Sequence, residues 1–174
     1  MDGTKRANEP PAGVIRNVSI QNVLAHGTGM SAINGHPDSW LDDVQFGNVK
    51  LYVARDPHAP YEHTSAAMML QHARNVVMKD VEIRWGQPQS TTWQTGLVVE
   101  QVKDLLLDSV DVAAAPGSAA PVVILKDAAK VTLRSARVAK LHVAGKQTNS
   151  IRLLQTETKT TADPDVATDA LAPQ

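Results

Sequence analysis

One eleven-residue pattern recurs along this chain of 174 residues and constrains its fold more than any other feature. The clear copies begin at Ile15, Leu41, Ala73, Val102 and Ala128. Equivalent apolar slots, separated by 26, 32, 29, 26 and 20 residues, are held by Val18, Val44, Val76, Leu105, Val131 and Ile151. A repeat period in the twenties is typical of a solenoid, in which each repeat stacks on its neighbours.

The spacing inside each copy indicates strands. Apolar residues such as Val18 and Ile20 are two apart, whereas a helix would place them three or four apart. A second apolar pair, such as Val49 and Leu51, follows with an offset of three, so two short strands meet at a bend. The bend residues are polar, and several are types that tolerate left-handed backbone: Asn22, Asn48, Asp80, Ser109 and Ser135.

A third apolar run precedes each copy, at 30–33, 67–70, 96–99, 121–125 and 141–144. Three strands per repeat predict an all-β chain folded as a right-handed parallel β-helix (a pectin-lyase-like solenoid) of about five coils, with neighbouring strands about 4.8 Å apart. A small antiparallel β-sandwich is the alternative. It is disfavoured because a sandwich has no reason to repeat one pattern in one phase.

The two ends of the chain differ from the repeats. Residues 1–13 have no apolar segment of a signal peptide, and we predict a disordered leader or a truncation edge there. Coils are predicted over 14–155 and a disordered tail over 156–174, which is rich in Thr, Ala, Asp and Pro. Nothing before Ile15 resembles a capping helix, so the N-terminal edge is expected to dock on missing N-terminal coils or on a second copy.

Composition restricts the partners. The formal net charge is −1 and no basic cluster occurs, which predicts no nucleic-acid partner. No apolar run approaches the length of a membrane span, which predicts no membrane partner. Cysteine is absent, which excludes disulfides and thiolate metal sites.

Three segments, 14–23, 31–39 and 41–51, resemble late coils of glycoside hydrolase family 28, the polygalacturonase and rhamnogalacturonase family. Their repeated Asn-Val dipeptides and the Gly35–His36–Pro37 strand end carry the likeness, which extends over residues 14–155. The resemblance implies a secreted or periplasmic parent that hydrolyses pectin-like polysaccharide with inversion, and to which this chain contributes C-terminal coils.

The chain departs from that family at the catalytic motifs. Family 28 enzymes carry Asn-Thr-Asp, Asp-Asp, Gly-His-Gly and Arg-Ile-Lys, whose carboxylates act as general acid and base. Here Asp42–Asp43 is the single Asp-Asp, and it occupies the repeat slot of Arg16–Asn17, which predicts a solvent-facing turn. His26–Gly27 lacks the first glycine of its triplet. The sequence therefore predicts no catalytic residue and no cofactor, and leaves open whether the chain is an enzyme.

Two other functions remain possible. The first is a non-catalytic β-helix that binds glycans or has a structural role. The second is a β-elimination lyase whose Ca²⁺ would be held by loop acids such as Asp56 and Glu62; it ranks last, because these are the only clustered loop acids.

Loop residues are the candidate substrate contacts, because β-helix excursions wall the substrate groove and function concentrates in loops. One excursion holds His58, Tyr61, Glu62 and His63. Zinc binding there is an alternative, but no helix holds the two histidines in phase, and we predict no metal site.

Tryptophans and cations give weaker candidates. Trp85 and Trp93 flank a second loop and either stack on sugar rings or, as we favour, pack the loop onto the helix. Trp40 is expected to cover a corner. Four cations could meet uronate carboxylates, with a solvated face as the default reading: Lys126, Lys140, Arg134 and Arg152.

Overall fold

The computed structural model describes residues 13–56, 58, 65–87, 90–167 and 169–171. All strand pairs in the sheet are parallel, and equivalent segments of successive repeats lie side by side, so the predicted parallel β-helix is confirmed. The strands are β1 (Arg16–Thr28), β2 (Ser31–Asn34), β3 (Leu41–Ala54), β4 (Ala66–Trp85), β5 (Thr95–Asp108), β6 (Asp111–Val112), β7 (Val123–Lys126), β8 (Ala129–Arg134), β9 (Arg137–Val138), β10 (Lys140–Ala144), β11 (Asn149–Leu154) and β12 (Lys159–Ala162).

Each coil has three sides, and the longer strands bend around two or three of them. Face A consists of 16–21, 42–47, 74–79, 103–108, 129–134 and 149–154. Face B consists of 23–28, 49–54, 81–85, 111–112 and 137–138. Face C, formed by the predicted third runs, consists of 31–34, 68–71, 97–100, 123–126, 140–144 and 159–162.

The repeated apolar slots form continuous interior columns. Val44 pairs with Val76, Val76 with Leu105 and Leu105 with Val131, in the register that the sequence predicts. The next inward column contains Phe46, Met78, Leu107 and Leu133, which are all buried. Because each column crosses every coil, the aliphatic core runs the length of the stack.

The predicted bends have left-handed backbone. The φ angles of Asn22, Asn48 and Asp80 are 55°, 51° and 54°. The Asn48 amide donates to Oδ1 of Asn22 at 2.9 Å, so the two side chains link adjacent coils at this bend. Left-handed backbone also occurs at the start of face A, in the slot predicted as a turn: Asn17, Asp43, Asn75, Asp104, Lys130 and Ser150. A further column that the sequence did not predict lies just before face A, at His72, Gln101 and Asp127.

The chain passes from face B to face C through segments of very different length. Only residues 29–30 join β1 to β2, whereas residues 55–65, 86–94 and 113–122 make the next three crossings. These differences contribute to the variation in repeat length, together with residues 35–40 between β2 and β3, while the paired registers on the faces stay intact.

The C-terminal tail corrects the sequence prediction of disorder from residue 156. Strand β12 pairs with β10, Leu171 forms a parallel bridge with Ile151, and Ala170 is buried. The tail has few large apolar side chains, but β-branched Thr suits a strand. Strand β12 adds a sixth rung to face C among the described residues, against the five coils expected.

The N-terminal edge is open among the described residues, since β1 pairs with β3 on one side only. Ile15 is 56% exposed and Leu24 65% exposed, whereas Ile20 and Val23 are half-buried. The predicted leader at 1–13 lies outside the described residues except for Gly13, whose carbonyl accepts a hydrogen bond from Ser39 Oγ at 2.6 Å.

Candidate functional site

An open cavity of about 530 Å³ lies on face B at the N-terminal end of the stack. His26 and Tyr52 form its aromatic wall, and Thr28 and Gln87 add polar groups. Because strand side chains alternate, His26 and Tyr52 point away from the core while their neighbours Ala25 and Leu51 point inward.

His26 and Tyr52 are stacked rings on adjacent rungs. They are register partners, with ring centroids 4.9 Å apart and planes 11° from parallel. His26 is exposed and Tyr52 is half-buried. A stacked pair whose rings border an open cavity offers a flat surface for the C–H groups of a sugar, with a phenol and an imidazole available for hydrogen bonds to hydroxyls.

A row of charged side chains continues from this pair along face B. Arg84 binds Asp111 through two nitrogens, at 3.0 and 2.7 Å, and its Nε lies 3.1 Å from Glu82. The hydrogen bonds that Arg84 donates to Asp111 lower the pKa of the Asp111 carboxyl and raise the pKa of Arg84. Asp111 is therefore an ionised anchor for the arginine.

A second cavity, of about 1270 Å³, opens where the charged row ends. Asp111 and Arg137 line it, together with Gln155, Glu157 and Thr158 from the C-terminal coil. The Thr158 hydroxyl is buried without a hydrogen-bond partner. Asp111 belongs both to this cavity and to the cluster around Arg84. The first cavity, the charged row and the second cavity therefore follow one another along face B, and we call this surface the B groove.

The B groove has no evident proton donor for glycoside hydrolysis. An inverting glycosidase needs one carboxyl whose pKa is raised so that it can protonate the leaving group. The described carboxyls with a shifted pKa, Asp42, Asp108 and Asp111, are all shifted downward, chiefly by hydrogen bonds from Asn75, Arg134 and Arg84.

The Asp42–Asp43 pair is a turn, as predicted. Asp43 has a φ of 53° at the start of face A. Asp42 accepts hydrogen bonds from Arg74 at 2.9 Å and Asn75 at 2.7 Å. Both bonds hold the coils together at this corner.

Most of the predicted loop contacts lie outside the residues that the structure describes. Tyr61, Glu62 and His63 are not among the described residues, and His58 is exposed on a turn. Their role in substrate binding stays a prediction. Within the described part of the chain, no three His, Asp or Glu side chains converge in a way that could hold a metal ion.

Trp85 and Trp93 lie against each other rather than on an open surface. Their ring centroids are 4.7 Å apart, and Trp93 is only 2% exposed. The Trp85 indole donates to the Ala113 carbonyl at 3.1 Å. This geometry favours the packing role over sugar stacking. A substrate role for either residue stays a prediction.

The candidate cations are largely occupied within the chain. Arg134 binds Asp108 at 3.0 and 2.6 Å, Lys126 binds Glu100 at 2.6 Å, and Lys140 donates to the Ala119 carbonyl at 2.9 Å. Arg152 is exposed. These pairs favour the solvated charged face over a uronate site.

His26, Tyr52 and Arg84 were not identified as a group from the sequence. A signal was present, because each lies eight residues after a matched valine of the repeat: Val18, Val44 and Val76. Aligning the outward slots, as well as the inward ones, places the three side chains in one row.

Comparisons with known proteins add little to this geometry. No protein-family model matches the chain, and no curated protein matches its sequence. Among solved structures, it is similar to the A-modules of the mannuronan C-5 epimerases AlgE4 and AlgE6 from Azotobacter vinelandii, each at 11% identity and a TM-score of 0.36.

Both similarities cover 92% of this chain, which spans 55% of the AlgE4 module and 58% of the AlgE6 module. Such values carry no argument about activity. The strand pairing itself establishes the fold, and the described residues include no helix long and apolar enough to cross a membrane.

Proposed function

We propose that this chain binds polysaccharide in the B groove, as the C-terminal part of a carbohydrate-active β-helix protein of the polygalacturonase type. The observation that carries the proposal is the stacked His26–Tyr52 pair beside an open cavity of about 530 Å³. The resemblance of residues 14–155 to late coils of family 28 supplies the substrate class, an acidic pectin-like polymer, and a secreted or periplasmic location.

Binding without cleavage is the activity proposed for the chain alone. Arg84 holds Asp111 ionised, and the pKa values of Asp42, Asp108 and Asp111 are all shifted downward, away from the value that would suit a general acid. Hydrolysis is assigned to a longer parent protein that carries the family motifs missing here.

The test is a titration of the purified chain with oligogalacturonates by calorimetry, in parallel with a reducing-sugar assay on polygalacturonate. Tyr52→Ala is expected to weaken binding about three- to tenfold, because it removes an aromatic contact. Val77→Ala, an outward apolar change on face A, is the matched control and should leave affinity unchanged. Equal affinity of Tyr52→Ala and the unaltered protein would refute the B groove, and sugar release would refute binding alone.

The open β1 edge favours a second candidate, a structural module that docks on other β-helix coils. Ile15 and Leu24 are exposed there, and within the described part of the chain β1 pairs with a strand on one side only. The two functions separate in the same titration, since a purely structural module binds no oligosaccharide.

A further inference from the structure

A column of cations lies on the outer surface of face A, away from the B groove. Arg16 is the register partner of Asp42, Asp42 of Arg74, and Arg74 of Lys103. Successive rungs are about 4.8 Å apart, so the four side chains form one short charged line. Three of the four are positive.

This column borders a cavity of about 460 Å³ that also includes Trp40 and Asp38. The lining thus has three cations and two carboxylates. Asp42 is already engaged, because it accepts hydrogen bonds from Arg74 and from Asn75 and its pKa is lowered by them.

Two cations keep capacity for an external anion. Lys103 places its Nζ over the Trp40 ring, 5.5 Å from the centroid, and among the described residues no carboxylate forms an ion pair with it. Arg16 is exposed on the terminal rung, where it acts on Asp42 only through longer-range attraction. An anion between these groups would gain charge-assisted hydrogen bonds.

Trp40 is fixed in place beside them. Its indole nitrogen donates to the Pro37 carbonyl at 3.2 Å, and its ring meets His72 edge-on with centroids 6.2 Å apart. A held, half-buried aromatic ring supplies an apolar wall without a further ordering cost on binding. An aromatic wall beside cations that form no ion pair with a described carboxylate is chemistry that recognises a flat, anionic sugar unit.

We infer that this cavity, which we call the Trp40 site, is a second binding site for a sugar ring that bears a carboxylate or a sulfate. The inference rests on the proposed function in one respect, that the ligand is a saccharide. The two sites share no residue, so a long polymer could engage both and gain avidity that a short oligomer lacks.

Paired variants separate the two sites. The double variant Arg16→Gln/Lys103→Gln is expected to weaken trigalacturonate binding about tenfold, the effect of losing a charge-assisted contact. Lys146→Gln/Arg152→Gln removes the same charge from exposed positions elsewhere. It should change affinity less than about twofold, because exposed charges are screened by solvent and salt. Equal losses in both double variants would overturn the Trp40 site, because a general field would explain them.

The same binding measurements separate the Trp40 site from the B groove. If Tyr52→Ala weakens binding and Arg16→Gln/Lys103→Gln does not, the Trp40 site is refuted and the B groove stands. The reverse result refutes the B groove and supports the Trp40 site. Absence of any saccharide binding refutes both.

The ligand arms identify the anion. Fully methyl-esterified trigalacturonate should bind at least about tenfold more weakly than the free acid, and equal binding would overturn the inference. Competition by galactose 6-sulfate shows that sulfate is accepted, whereas its failure beside trigalacturonate binding assigns a carboxylate. In the Tyr52→Ala background, where B-groove binding is weakened, Trp40→Phe should abolish the ligand-dependent change in tryptophan fluorescence; persistence of that change would place the ligand elsewhere.

Discussion

The side-chain amide of Asn48 donates to Oδ1 of Asn22, 2.9 Å away on the preceding coil, and both residues have left-handed backbone. One residue type thus satisfies two requirements of the bend between faces A and B. The side chain links neighbouring coils, and the short polar group tolerates a positive φ.

Asn48 substitutions should separate these two contributions. Asn48→Gly keeps access to a φ of 51° and loses the amide link, whereas Asn48→Val loses the link and strains the backbone. We expect the valine variant to be less stable than the glycine variant by about 1–2 kcal/mol in urea unfolding. Equal stabilities would show that the backbone conformation at this bend is not limiting.

Leu107 tests the interior column. It is fully buried between Met78 and Leu133 on adjacent coils, so Leu107→Ala should leave a cavity and cost about 2–5 kcal/mol of unfolding free energy. Val77→Ala, which points outward and is 37% exposed, should cost much less. The prediction is wrong if the two variants have the same urea midpoint.

Asp111 predicts a pH dependence of stability. Its pKa is lowered in the folded state by Arg84, so its contribution is fully present above about pH 4 and is lost as the pH falls through the lower folded pKa. Asp111→Asn should therefore reduce the thermal midpoint at pH 7, and the difference from the unaltered protein should shrink below pH 4.

Asp104→Asn is the control for that series. Its ion pair with Lys130, at 3.5 Å, joins two largely exposed side chains and should contribute little at any pH. A constant difference between Asp111→Asn and the unaltered protein from pH 7 to pH 2 would contradict an ionic origin.

The β1 edge predicts concentration-dependent self-association. Leu24 is 65% exposed on β1, whose outer edge has no described partner strand; it should favour edge pairing, and Leu24→Lys should oppose it. Light scattering after size exclusion measures the effect. Leu154→Lys, at an apolar residue 45% exposed near the other end, is the control. A monomer at all concentrations, or the same effect from Leu154→Lys, would argue against pairing through β1.

The coils were predictable from the sequence because inward residues obey one rule on every rung. Val44, Val76 and Val131 each fill the same interior slot, so a spacing of two and a period in the twenties suffice to place them. The bends at Gln101 and Lys130 were not, because left-handed backbone there is set by the path of the coil and not by a favourable residue type.

The candidate site was harder to predict because outward side chains obey no common rule. His26 and Tyr52 differ in charge, size and polarity, and they become a pair only when the register aligns them. In the tail, the composition suggested disorder where the structure has order. Thr156 and Ala170 are buried: the Thr156 hydroxyl accepts a hydrogen bond from the Ala136 amide at 3.1 Å, and the Ala170 carbonyl accepts one from the Ile151 amide at 2.7 Å.

The unequal crossings between faces B and C have a consequence for how such a chain can diversify. Segments of 2, 11, 9 and 10 residues join the same two faces, and the rungs on either side keep their pairing. Flexible connections become only slowly more costly as they lengthen. Insertions at this corner should therefore be tolerated, which makes it the place where new peptide could be grafted, or acquired in evolution, while the stack itself is left unaltered.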